Sequence, residues 1–154
     1  MSRVINPNQP GKVRNQLMKA AAMAKDELKV PGHGNHIQRD LISYLYLTLD
    51  AIGKTVEQTA GAWEKRDYWV KADKFRLEWS WVPANLHRIE AFLNNETWNE
   101  LPAVISELDI KLNKVKYTKK LRSSRPWDGA WDEYRQKADL DPSGQRLEAQ
   151  NGHP

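Results

Sequence analysis

The tryptophan-rich middle of this chain carries a regular seam of apolar residues whose spacings alternate between 4 and 3. The seam contains Tyr68, Ala72, Phe75, Trp79, Val82, Leu86, Ile89 and Leu93. Such spacings place side chains on one face of an α-helix, and a strand with a period of two cannot produce them. The pattern therefore predicts a helix over residues 68–95. Pro83 removes one backbone hydrogen bond from it and is expected to kink it.

The same helix carries a second apolar set, nearly opposite the first: Val70, Leu77, Trp81 and Ala84. A helix that faces water on one side has no need of two apolar stripes. We therefore expect this helix to be central in its domain, or to be buried by its own bundle on one side and by a partner on the other.

The tryptophans separate into core and interface candidates on this pattern. Trp79 lies on the main seam and is predicted to be core. Large aromatic residues outside a main seam are enriched at interfaces, because they bury much area at little entropic cost. The predicted protein-interface residues are accordingly Trp69, Val70, Leu77 and Trp81. The alternative is an intramolecular cover, supplied by Trp127, Trp131 and Tyr134.

Two further helices are predicted before residue 64. The first begins near Pro10 and ends at residues 30–32, with the seam Val13, Leu17, Ala20, Ala24 and Leu28. The second has Asn35 as its predicted N-cap and a stripe that runs from Ile37 to Trp63. Residues 44–49 also have the composition of a strand, but the chain offers no partner strand and the helical stripe continues on both sides.

No glycine or proline separates Trp63 from Tyr68, so one helix over residues 36–95 is an alternative. A continuous helix would turn Arg66, Asp73 and Lys74 toward the buried face, which favours a break at residues 64–67 with Asp67 as N-cap. A fourth helix follows residues 97–100, which form a predicted capping box. Its apolar positions are Leu101, Val104 or Ile105, Leu108, Leu112 and Val115.

Four amphipathic helices with short connections predict an all-α fold, specifically an antiparallel up-down four-helix bundle. We place the bundle at residues 10–116, after an N-terminal arm at residues 1–9. Residues 117–154 are predicted to form a basic and then acidic C-terminal extension, with a partly ordered aromatic segment and disorder after residue 141.

The chain of 154 residues contains no cysteine, which excludes disulfides, thiolate nucleophiles and cysteine-ligated zinc and favours the cytoplasm. The sequence shows neither a signal peptide nor a membrane-spanning stretch, so no membrane partner is expected. The net charge of +4 is uneven. Residues 1–36 carry six cations against two acids, and residues 117–126 carry four cations and no acid.

A basic run, together with the N-terminal arm, suggests an alternative function in nucleic-acid binding. Its cations are Lys111, Lys114, Lys116, Lys119, Lys120, Arg122 and Arg125. Tyr117 and Trp127 are interleaved, a composition that can track phosphates and stack a base. The competing interpretation is structural, because lysines complement the dipole at a helix C-terminus and can also pair with the acidic tail.

Catalytic motifs are absent from the sequence, and we predict a non-catalytic protein without metal or cofactor. His33 and His36 flank a glycine-rich loop with Asp40 nearby, but two imidazoles make an incomplete zinc site and a helix-to-helix turn explains the glycines. His87 and Glu90 form a single pair, which is interpreted as a solvated surface. The sequence therefore predicts an interaction module that acts by homo-oligomerisation or by contact with a protein partner.

Overall fold

The computed structural model describes residues 9–138. These residues form helices and the turns that connect them, with no strand among them. The all-α prediction is confirmed. The helices are α1 (Gln9–Leu28), α2 (Asn35–Glu64), α3 (Trp69–Glu78), α4 (Trp81–Asn95), α5 (Leu101–Leu112), α6 (Lys119–Ser123) and α7 (Ala130–Ala138). The predicted arm at residues 1–9, apart from Gln9, and the disorder predicted after residue 141 lie outside the described residues. No helix within residues 9–138 is both long enough and apolar enough to cross a bilayer.

The central element is α2, which contacts α1, α3, α4 and α7. Its side chains Leu41, Ile42, Leu45, Leu49 and Ile52 are fully buried. Adjacent residues such as Leu41 and Ile42 point about 100° apart, so the buried arc of α2 is wide enough for several neighbours. The first helix of the tryptophan-rich segment, α3, buries only Ala72, so this segment is not the central element of the domain.

Small residues bring α1 close to α2. Ala21, Ala22 and Ala24 are completely buried, which allows the two backbones to approach. The predicted seam of α1 is wrong at its first position, because Val13 is half exposed and its neighbour Arg14 points inward instead. The guanidinium of Arg14 is tolerated in this buried position because it contacts aromatic rings and threonine hydroxyls.

The predicted break between the second and third helices is confirmed. α2 ends at Glu64, and Asp67 adopts a left-handed conformation with φ of 65°. The N–H of Tyr68 donates to the carbonyl of Trp63 across this turn at 2.9 Å. The prediction of Asp67 as N-cap is wrong, because Tyr68 precedes α3 and provides no side-chain cap. Aspartate tolerates the left-handed region better than most residues, which explains its use here.

The expectation of one kinked helix over residues 68–95 is also wrong, because α3 ends at Glu78 and α4 begins at Trp81. Pro83 lies in the first turn of α4, where its missing N–H requires no intrahelical partner. In a continuous helix the proline ring would clash with the carbonyl of Trp79, four residues earlier. The break therefore falls before the proline rather than at it.

Helix caps were predicted less accurately than helix positions. The residue before α2 is Gly34, and Asn35 is already helical. The capping box at residues 97–100 does not form, because these residues enter a 3-10 turn (Trp98–Glu100) and Thr97 accepts only through its backbone carbonyl. The predicted core positions of the fourth helix are confirmed in α5, where Leu101, Val104, Leu108 and Leu112 are buried.

The segment after residue 117 is part of the helical domain up to Ala138. Trp127 and Tyr134 are buried and belong to the hydrophobic core. Tyr134 packs edge-to-face on Tyr46 of α2, with ring centroids 5.0 Å apart. The carboxylate of Asp40 accepts hydrogen bonds from the backbone N–H groups of Gly129 and Trp131, at 3.3 and 2.9 Å, and so caps α7. The core therefore continues beyond the predicted boundary at residue 116.

Candidate interaction face on α3

α3 buries only Ala72 among its ten residues. Val70 and Leu77 remain 70% and 74% exposed, although both side chains are large and apolar. They are seven positions apart, so they project in nearly the same direction from the helix. Asp73 and Lys74 lie between them along the chain and are exposed as well. We call these four residues, Val70, Asp73, Lys74 and Leu77, the outer face of α3.

The opposite side of α3 packs against α2. The ring of Phe75 packs edge-to-face on Trp63 at 5.0 Å between centroids. Arg76 donates to both carboxylate oxygens of Glu64, at 2.5 and 3.1 Å, and to both oxygens of Glu57, at 3.1 Å. The hydrogen bonds from Arg76 lower the pKa of Glu64. These contacts fix which side of α3 faces solvent.

Arg14 of α1 holds the same helix from a third direction. Its guanidinium carbon lies 4.9 Å from the ring centroid of Phe75 and 5.4 Å from that of Trp79. One guanidinium nitrogen donates to the hydroxyl and carbonyl oxygens of Thr55 and to the hydroxyl of Thr59, at 3.2 to 3.3 Å. Burial lowers the pKa of Arg14. A cation–π contact away from water can contribute about 2 kcal/mol, so Arg14 helps to define the position of α3.

Trp81 differs from the other predicted interface residues. Trp69, Val70 and Leu77 are exposed, whereas Trp81 is half-buried and packs against the core. Its ring lies 5.9 Å from that of Trp79. The expectation that Trp79 and Trp81 lie on opposite stripes is wrong, because the helix breaks between them and α4 starts in a new direction.

The C-terminal aromatics do not cover the outer face of α3. Trp127 and Tyr134 are in the core, and α7 packs along α2. The remaining aromatic, Trp131, stacks on Tyr134 with ring centroids 5.8 Å apart. The intramolecular cover considered from the sequence is therefore wrong for the described residues. The structure also adds Tyr68, which was assigned to the inward seam but is 52% exposed beside Trp69.

Other exposed apolar side chains in residues 9–138 are isolated. Val13 on α1 and Ile110 on α5 are each the only large exposed hydrophobic on their helix. Single exposed apolar residues are common on soluble proteins and need no special explanation. Four of the six large exposed hydrophobics in this range lie within ten positions, from Tyr68 to Leu77, and three of these four are in α3.

The basic run is only partly available to a ligand. Five lysines are exposed and make no ion pair with another residue in the 9–138 range: Lys111, Lys114, Lys116, Lys119 and Lys120. Arg122 instead pairs with Glu27 at 2.5 Å, and Arg125 with Asp128 at 3.4 Å.

The two aromatics predicted to stack bases are used inside the protein. The hydroxyl of Tyr117 donates to Asp26 at 2.6 Å, and Trp127 is 4% exposed. Burial and the bond to Asp26 raise the pKa of Tyr117 to about 12. Trp127 therefore cannot serve as a stacking platform without local unfolding, while Tyr117 is partly buried against the core.

The histidine loop has a structural role. Nε2 of His33 lies 2.7 Å from Oε2 of Glu27, and Asp40 is engaged at the start of α7. No group of three or more potential metal ligands occurs within the part of the chain that the structure describes. The arrangement supports the interpretation of residues 32–36 as a helix-to-helix turn.

Comparison with protein-family models, with curated proteins and with solved structures found no match.

Proposed function

We propose that this protein is a non-catalytic interaction module of the cytoplasm that binds a protein surface through the outer face of α3 and the adjoining Trp69. The observation that carries the proposal is the exposure of Val70 and Leu77 on one line of a helix whose other side contacts α2 through Phe75 and Arg76. Complete burial of an aliphatic side chain is worth about 1.5–3 kcal/mol, so covering both residues would contribute substantially to binding.

The association should depend on the apolar side chains of this face. In the double variant Val70→Ser and Leu77→Ser, we expect association to be lost while the helical circular dichroism stays unchanged, because neither side chain supports the core. Sedimentation equilibrium at high protein concentration measures homotypic association. A photo-crosslinking amino acid at position 77 reports any other protein that binds there.

Ile110→Ser provides the matched control, because Ile110 is a similarly exposed aliphatic on a different helix. It should leave association unaffected. Equal loss in both variants, or no association and no crosslink at position 77 above the level at position 110, would contradict the proposal.

We also propose that α1, α2, α4 and α5 form the antiparallel up-down bundle predicted from the sequence. The support is that contacts run around these four helices in a ring, from α1 to α2, α2 to α4, α4 to α5 and α5 to α1. In this arrangement α3 is an added hairpin arm on α2, which leaves its outer face free of the bundle. Distances between spin labels at the ends of the four helices test the directions.

Nucleic-acid binding remains a second candidate because of the five exposed lysines between Lys111 and Lys120. Log affinity falls with log salt, and each neutralised phosphate should add about 0.7–0.9 to the magnitude of this slope. We expect the triple variant Lys116→Gln, Lys119→Gln and Lys120→Gln to reduce both affinity and slope in anisotropy titrations of single- and double-stranded DNA and RNA. Arg122 is left unchanged, because it pairs with Glu27.

A charge-matched triple variant at Lys12, Lys19 and Lys65 controls for the change in net charge. These lysines are exposed on other parts of the chain. No detectable binding of the wild type at about 50 mM salt, where phosphate contacts are strong, would rule out this function for the basic run.

A further inference from the structure

From the charges that flank Val70 and Leu77, we infer that the outer face of α3 pairs with the same face of a second copy of this chain, with the two α3 helices parallel. The inference rests on the proposed function and specifies its partner. It follows from three observations: the order of the side chains around the helix, the scarcity of ion pairs made by its charged residues within the chain, and the symmetry of a homodimer.

Val70 and Leu77 form the apolar line of the outer face, and one charge lies on each side of that line. At about 100° per residue, Leu77 projects within about 20° of Val70. Asp73 is displaced by about 60° to one side of Val70, and Lys74 by about 40° to the other. The face therefore has an acidic edge and a basic edge, separated by two aliphatic side chains.

Twofold symmetry distinguishes between the two directions of pairing. If the helices are parallel, the twofold axis runs along them and brings the acidic edge of one copy against the basic edge of the other. Asp73 then meets Lys74 of the second copy twice, and like aliphatic residues pack across the axis. If the helices are antiparallel, Asp73 meets Asp73 and Lys74 meets Lys74. Like charges in contact are unfavourable, so the parallel pair is preferred.

Both charges are available for such a contact. Asp73 is 77% exposed and approaches Arg76 only at 3.8 Å, while Arg76 is already bonded to Glu57 and Glu64. Lys74 is exposed and makes no ion pair with another residue between 9 and 138. Cross-helix pairs would therefore replace few internal contacts.

The size of α3 limits the strength of the pair. Ten residues extend about 15 Å, so this face together with Tyr68 and Trp69 buries less than the roughly 800 Å² per partner of a standard interface. We expect a weak dimer with a dissociation constant on the order of 100 µM. Such an affinity makes association dependent on local concentration.

Sedimentation equilibrium of the full chain at low salt, from about 10 µM to 1 mM, tests this inference. The wild type should shift from monomer to dimer across this range. Asp73→Lys and Lys74→Asp should each raise the dissociation constant at least about fivefold, because each converts two attractive pairs into repulsive ones. An equimolar mixture of the two variants should recover the affinity of the wild type, since opposite charges then face each other again.

Three outcomes would overturn the inference. A wild type that stays monomeric at about 1 mM excludes self-pairing, while a crosslink from position 77 to another protein would still support the proposed function. Charge variants that dimerise like the wild type, when the Val70→Ser and Leu77→Ser variant does not, show that the face associates in another orientation. A dimer that survives all of these substitutions uses another surface. Circular dichroism of each variant excludes unfolding as the cause.

Discussion

The guanidinium of Arg14 lies 4.9 Å from the ring centroid of Phe75, and this contact joins the start of α1 to the middle of α3. α3 is short and buries little of its own surface, so it depends on such contacts for its position. The outward direction of Val70 and Leu77 is therefore set in part by a residue on another helix.

Replacement of Arg14 should loosen α3. Arg14→Lys keeps the charge but loses the planar group that stacks on Phe75 and donates to Thr55, so we expect a loss of about 1–3 kcal/mol in the free energy of unfolding. Urea denaturation measures the loss, and hydrogen exchange should show faster exchange of α3 amides. Lys12→Ala, at an exposed position of the same helix, should change neither. Unaltered exchange in α3 after Arg14→Lys would contradict the role assigned to this contact.

Removal of two tryptophans outside the predicted core should change the free energy of unfolding by very different amounts. Trp127→Ala should lower the free energy of unfolding by about 3–5 kcal/mol, because a buried aromatic leaves a large cavity. Trp69→Ala should lower it by no more than about 1–2 kcal/mol, because 56% of the surface of this residue is still in water. Equal effects in denaturant titrations would mean that the segment around Trp127 is not part of the core.

Substitution of Ser43 by a small apolar residue is expected to stabilise the fold. Its hydroxyl is completely buried and has no hydrogen-bond partner among residues 9–138. Ser43→Ala removes an unsatisfied polar group from the N-terminal half of α2 and should raise the free energy of unfolding by about 1 kcal/mol. Thr55→Val is the contrasting change, because the Thr55 hydroxyl donates to Ile52 and accepts from Arg14. It should be destabilising, and an equal response of both variants in thermal unfolding would count against this explanation.

The helices that bury one regular stripe could be predicted from the sequence, since their pattern depends on local spacing alone. α5 shows this, with Leu101, Val104, Leu108 and Leu112 buried as expected. The outer face of α3 could also be predicted from the sequence. Val70 and Leu77 are seven positions apart, which places them on one side of a helix, and both lie outside the main apolar seam.

The placement of Trp81 and of α7 depends on long-range contacts, which local sequence patterns do not show. The placement of Trp81 required knowing that the helix breaks before Pro83 instead of bending at it. On the α3 side of this break, Phe75 and Trp79 pack against Arg14, which is distant in the chain. α7 has only nine residues, and its sequence does not show which helix it packs against. Contacts with α2 hold it in place, and they come from residues far away in the chain: Asp40, Tyr46 and Asp50.

The acid stability of the protein should depend on Glu27. Burial alone would raise the pKa of this carboxyl, but hydrogen bonds from His33 and Arg122 outweigh it and lower the pKa below the ordinary value of 4.5. A group with a lowered pKa in the folded state stabilises the fold fully above its unfolded pKa and loses that contribution as the pH falls through the folded value. The melting temperature should therefore decrease as the pH falls below about 4.5.

Glu27→Gln should remove part of this pH dependence. We expect a loss of about 1–3 kcal/mol at neutral pH, since His33 and Arg122 lose their ionised partner, and a smaller difference from the wild type at low pH. Some slope should persist, because the pKa values of Asp26 and Asp109 also lie below the ordinary value of 3.8. Glu133→Gln, at an exposed carboxylate on α7, controls for the loss of one charge. Parallel melting curves for the wild type and Glu27→Gln at every pH would show that Glu27 does not govern this transition.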